Sequence, residues 1–187
     1  MNQKIELWFP TPIYYVDNLL GKDLKKYQDL FIKRNYDTYR NDYMNVDTSH
    51  SRIEPNIHHL DEFKPVIDKI TEHVHNFADK LGYKNERKID TSWTNKSYKE
   101  DYLFPHVHGN CLISGAYYIK SSKEDKITFM KDITDMKAVP EEETELNFRN
   151  IEYSCDTDRL ILFFSDTLHM TFKQKSDFKM ALSFNYK

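Results

Sequence analysis

The spacing of apolar residues changes near Gly82 and divides the chain into two textures. Before that point Leu60, Phe63, Val66, Ile67, Ile70, Val74 and Phe77 recur every three or four positions, the stripe of an amphipathic helix. Gly82 stands where such a helix would be capped. A second stripe, Leu24, Tyr27, Leu30 and Phe31, predicts a helix over 22–43 with a fraying polar end. Between the two, 45–56 holds turn formers and polar residues without any period and reads as a loop. At the start, 5–16 mixes aromatic and β-branched residues with Pro10 and Pro12. That mixture predicts an extended edge segment, because proline cannot donate to a central ladder.

After Gly82 the runs 89–98, 102–108, 112–120, 126–131, 148–153, 159–164, 168–173 and 178–186 are short, rich in aromatic or β-branched residues and separated by polar turn formers. Short strands in succession, with no helix between them, predict a mainly β (α+β) protein. The expected architecture is a double-stranded β-helix, or jelly roll, over 83–187, with the strand and helices of 1–82 as an N-terminal helical layer. A length of 187 residues suits one domain, 1–187. The longest connection, 132–147, reads as an exposed mobile loop.

Charge narrows the function classes a little. The formal net charge of −3 comes from both signs spread along the chain, so no basic face invites nucleic acid and no acidic tail stands apart. Cys111 and Cys155 make no disulfide framework. The opening residues lack the basic start, apolar run and cleavage site of a leader, and no stretch is apolar for the ~20 residues of a membrane span. These features lead us to expect a reduced cytoplasmic protein with no membrane partner.

Candidate chemistry centres on the histidines. His106 and His108 are two apart in the run 102–108, where a strand would point both to one face. A further histidine, His169, follows the apolar run RLILFFSD, and Lys179 comes ten positions later. His50, His58, His59, His73 and His75 lack ligand spacing and read as surface or capping residues.

An H-x-H on the second strand of a jelly roll, a histidine on the seventh and a basic residue ten further on resembles the iron(II)- and 2-oxoglutarate-dependent oxygenases. Ser114-Gly115-Ala116-Tyr117-Tyr118-Ile119 is similar to the prolyl-hydroxylase strand whose second tyrosine bonds the cosubstrate carboxylate. The wider likeness is to a family of 2-oxoglutarate and iron oxygenases from marine bacteria and their phages. That family carries an F-P-T-P segment, an H-x-H followed by L-x-S-G-x-Y-Y, and an S-x-x-F-N ending. Here stand Phe9-Pro10-Thr11-Pro12, His106-Val107-His108 with Leu112-Ile113-Ser114-Gly115-Ala116-Tyr117-Tyr118, and Ala181-Leu182-Ser183-Phe184-Asn185.

The resemblance implies Fe(II) on His106, His108 and His169, and 2-oxoglutarate held by Lys179, Tyr118 and Ser114. It implies a dioxygenase that hydroxylates a substrate while decarboxylating 2-oxoglutarate to succinate, with dioxygen as co-reactant. The prolyl-hydroxylase likeness tilts the substrate toward a protein or peptide side chain such as proline. Two departures stand out: His108 replaces the usual carboxylate, and Ala181 replaces the serine two positions after the basic residue. Trp93 and Asn95 share a strand face and are candidates for the substrate entrance, Asp101 and Asp166 for acceptors of imidazole N–H groups, with Asp166 also an alternative third ligand. Cys111 reads as buried. Two other readings stay open at this stage: a three-histidine metal dioxygenase or cupin-like enzyme that ignores 2-oxoglutarate, and a non-catalytic jelly-roll binding module.

Overall fold

A computed structural model describes residues 3–5, 10–33, 39–42, 45–49, 56–131 and 140–187. Phe9, His50 and the segment 132–139 of the long connection therefore lie outside the described residues. Among the described residues eleven strands form two antiparallel sheets. The larger runs β1 (Ile13–Val16), β9 (Leu160–Phe164), β6 (Ile113–Lys120), β11 (Phe178–Tyr186), β4 (Ile89–Tyr98), β3 (Val46–Thr48) and β2 (Tyr39–Asn41) across its width. The smaller has the order β5 (Leu103–His106), β10 (His169–Thr171), β7 (Lys126–Met130) and β8 (Asn150–Ser154). Two stacked sheets of this kind are the expected jelly roll, and every strand expected after Gly82 is present.

The helices pack on the outer face of the large sheet. Helix α1 (Leu24–Lys33) contributes Tyr27 and Phe31, and α2 (Lys64–Lys80) contributes Val66, Ile67, Ile70, Val74 and Phe77. They meet Ile113, Tyr117, Ile119, Leu160, Leu162, Met180, Leu182, Phe184 and Tyr186 in one apolar core. Gly115 belongs to this packing: a Cβ there would sit 2.6 Å from the Phe184 ring and 2.7 Å from the Ile161 carbonyl oxygen. The end of α2 follows the glycine expectation. Gly82 has φ +89° and donates to Asp79 O, while Tyr83 N–H reaches back to Ala78 O at 2.9 Å. This pair of bonds satisfies two of the last carbonyls of the helix.

The first half departs from the sequence expectation in two places. The helix expected over 22–43 ends as α1 at Lys33, and Tyr39–Asn41 are extended. The loop expected over 45–56 contains β3, whose Asp47 and Thr48 pair with Lys96 and Asn95 of β4. Three-residue strands carry too few positions for a period to show; here a neighbouring ladder decides the conformation. Among the described residues no helix is long and apolar enough to cross a membrane.

Candidate metal centre

Strand pairing brings two histidines together. His106 is the last residue of β5 and sits directly opposite His169, the first residue of β10. His108 lies beyond the end of β5, so strand parity does not place it. Its backbone N–H donates instead to Ser165 O at 2.7 Å, and a turn follows with Asn110 at φ +62°. Ring centroids are 4.3 Å apart for His106 and His169, 5.4 Å for His106 and His108, and 5.2 Å for His108 and His169. One ligand atom from each of the three lies within 4.8 Å of the others, a group able to hold a metal ion.

The outer hydrogen bonds settle which nitrogen each ring offers. His106 Nδ1 is 2.7 Å from Phe104 O, His169 Nδ1 is 2.9 Å from Thr167 O, and His108 Nδ1 is 2.6 Å from Asn185 Oδ1. Carbonyl oxygens only accept, so each Nδ1 carries the proton and each Nε2 carries the lone pair. Burial beside Phe163, Phe129 and His106 pushes His169 down to about 3, and burial lowers His106 as well. At neutral pH both are neutral imidazoles, the form a metal requires.

The triad opens into a cavity of about 530 Å³ between the two sheets. Its buried end holds Lys179 and Tyr118, which are 5% and 3% exposed. Lys179 has no hydrogen-bond or ion-pair partner among the described residues. Burial raises the Tyr118 hydroxyl well above its ordinary value, so it stays an O–H donor beside Cys155. Trp93 and Asn95 both line the cavity, and Trp93 stacks on His108 with ring centroids 5.7 Å apart. Toward solvent lie Asn110, Cys111 and the Asp90–Lys187 ion pair.

Several expected site residues fall elsewhere. Ser114 stands behind the cavity wall, its hydroxyl 2.7 Å from Asn185 Oδ1 and 2.8 Å from Ser165 Oγ. Asp101 accepts no imidazole proton; it receives both Arg40 Nη groups at 2.7 and 2.9 Å and the Tyr98 N–H at 2.8 Å. Asp166 is exposed and outside the three-histidine group. Cys111 is half-buried on the cavity wall rather than in the core. The acceptor the sequence reading missed is Asn185, whose parity with Lys179 on β11 was the available signal. Of the other described histidines, His58 bonds Ser92, His73 bonds the Tyr14 hydroxyl and His75 bonds backbone at Arg87.

Comparison with known proteins adds to this geometry. Residues 91–185 match the family described as "Putative 2OG-Fe(II) oxygenase". No curated protein sequence matches the chain. Among solved structures, HygX from Streptomyces hygroscopicus with nickel, 2-oxoglutarate and hygromycin B superposes with TM-score 0.67 at 10% identity, over 94% of this chain and 82% of that one. A viral collagen prolyl hydroxylase from Paramecium bursaria Chlorella virus-1, in complex with 2-oxoglutarate, gives 0.59 at 16% identity, over 93% and 94%. A prolyl hydroxylase from Trichoplax adhaerens, bound to a peptide fragment of the hypoxia inducible factor oxygen degradation domain, gives 0.62 at 11% identity, over 93% and 82%. Likeness at these identities establishes the fold.

Proposed function

Since the chain belongs to the 2OG-Fe(II) oxygenase family, an Fe(II)- and 2-oxoglutarate-dependent class of enzymes, we propose that His106, His108 and His169 hold its iron. Lys179 and Tyr118 then bind the far carboxylate of 2-oxoglutarate, and the substrate is a neutral protein or peptide side chain, proline among the candidates. The observation that carries this reading is the pairing of a metal-ready triad with an unpartnered ammonium, carried by a largely buried lysine, lining one cavity.

Each residue has a definite task. The three Nε2 lone pairs are borderline-soft nitrogen donors suited to Fe(II), and with three protein ligands the ion would have positions left for a 2-oxo acid and dioxygen. Bound there, iron and 2-oxoglutarate supply oxidative decarboxylation to succinate and carbon dioxide, with the second oxygen atom of dioxygen entering a substrate C–H bond. Lys179 fixes one end of the dianion by charge, and the Tyr118 hydroxyl adds a donor whose direction the strand sets. Trp93, stacked on His108, walls the substrate side and excludes water. Among the described residues Asp90 is the one carboxylate lining the cavity, and it is already paired with Lys187, which leaves neutral side chains to meet the substrate. The prolyl hydroxylases among the similar structures support a peptide substrate. The chain works here as one domain, with 1–82 buttressing the catalytic sheet.

Anaerobic titration tests the metal assignment. One Fe(II) per chain is expected, lost together in His106→Ala and His169→Ala, with 2-oxoglutarate consumption lost alongside. His108→Asp should retain iron, because a carboxylate is also a ligand, while His108→Ala should lose much of it. Wild-type affinity in both alanine variants at 106 and 169 would remove the site from this cavity.

A further inference from the structure

The three imidazoles are held in the metal-ready form by unequal means. His106 and His169 each donate Nδ1–H to a backbone carbonyl two residues earlier, acceptors that no side-chain substitution removes. His108, beyond the end of its strand, depends on a side chain, Asn185. Two further bonds hold that amide in place: Asn185 Nδ2 donates to Thr91 Oγ1 at 2.8 Å, and Oδ1 also accepts the Ser114 hydroxyl at 2.7 Å. Ser114 in turn meets Ser165 Oγ at 2.8 Å, and the Ser165 carbonyl accepts the His108 backbone N–H. A closed circuit of hydrogen bonds thus runs from the His108 ring through Asn185, Ser114 and Ser165 back to the His108 backbone.

We propose that Asn185 is the positioning residue that makes His108 a metal ligand: by accepting Nδ1–H it assigns the tautomer and turns Nε2 toward the other two rings. The inference rests on the three-histidine reading of the metal site. A ring whose Nδ1 acceptor is removed loses the bond that selects one tautomer, so part of the protein would present an N–H where a lone pair is required. Because the acceptor is an amide, the histidine also lacks the added basicity that a carboxylate partner confers. The hydroxyls of Thr91 and Ser114 can both donate, so an aspartate at 185 would keep the same circuit with a charged acceptor at its centre.

The test begins without metal. Long-range proton–nitrogen correlation spectra of the metal-free protein at mildly alkaline pH should show His108 protonated on Nδ1 alone. Asn185→Leu should introduce an Nε2–H population at His108, and Asn185→Asp should not. The signals of His106 and His169, which rely on backbone acceptors, should be unchanged and report that the variant is folded. Calorimetric titration with Fe(II) under anaerobic conditions should then show roughly 10- to 100-fold weaker binding in Asn185→Leu, and wild-type or tighter binding in Asn185→Asp. A His108 that keeps Nδ1–H alone in Asn185→Leu overturns the proposal, as does weakened binding in Asn185→Asp. Should the leucine variant not fold, the aspartate variant decides by itself on the second criterion. Wild-type protein that binds no iron would instead overturn the metal reading, and the tautomer spectra would still report what Asn185 does to His108.

Discussion

On one face of β11, Met180, Leu182, Phe184 and Tyr186 are fully buried against the helices; on the other, Lys179, Ala181, Ser183 and Asn185 line the cavity. The two sets are interleaved one residue apart on a single backbone. The helix side is specified by volume: Phe184 packs so tightly over Gly115 that no Cβ fits between them. The cavity side tolerates arrangements that cost stability. Lys179 is 5% exposed and its ammonium has no hydrogen-bond or ion-pair partner among the described residues, and Asn185 uses its amide to orient a neighbour. Burying such groups without full compensation is unfavourable, and the gain appears only when a ligand arrives.

Substitutions on the two faces should therefore separate stability from binding. The largest expected effect is Phe184→Ala, which empties a fully buried aromatic site and should lower unfolding free energy by about 3–5 kcal/mol, read from a denaturant curve. Next is Lys179→Met, of similar length and without charge. It should raise the 2-oxoglutarate dissociation constant about 10- to 100-fold, as expected for losing a charged hydrogen bond of roughly 1.5–3 kcal/mol. Its thermal midpoint without ligand should equal or exceed wild type, and its iron affinity should hardly move. A Lys179→Met protein that is less stable and binds 2-oxoglutarate normally would erase the contrast between the faces.

The smallest effect is one of pH on the metal-free protein. His169 is held at about 3 when folded, below its ordinary value of about 6.5 when unfolded, chiefly by burial. Between those values the unfolded chain binds the proton and the folded chain does not, so stability falls as pH is lowered and is flat above the unfolded value. By pH 5.5 the loss should be about 1 kcal/mol in denaturant midpoints, and His169→Gln should flatten that part of the profile.

The same contrast explains what was legible in the sequence. Alternation and helical stripes report burial, so the strands after Gly82, the α2 stripe and its glycine cap were all readable. The three histidines and Lys179 were readable from spacing together with family likeness, and all four line the cavity. His108 reaches its place by a different route from the one expected, through a bond to Ser165 after the strand has ended. Asp101 drew attention as a carboxylate near the ligands, but its charge is taken up by Arg40, which lies 61 positions away in sequence. Such pairings are set by the docking of β2, a strand too short to announce itself. Asn185 was in plain view within the closing motif; the hydrogen bond that gives it a role spans 77 positions and leaves no local pattern.

The neutrality of the triad has a thermodynamic consequence. Among the described residues no ligand and no outer acceptor contributes an anion, so a divalent ion held there would keep its full charge in the cavity that Lys179 also lines. On the proposed assignment the dianionic cosubstrate would be the counter-charge for the ion, and any strengthening of one by the other would be reciprocal. Loading becomes cooperative between two small species, each scarce or plentiful for its own reasons. On the proposed assignment, such a site would fill most readily when iron and 2-oxoglutarate are both available.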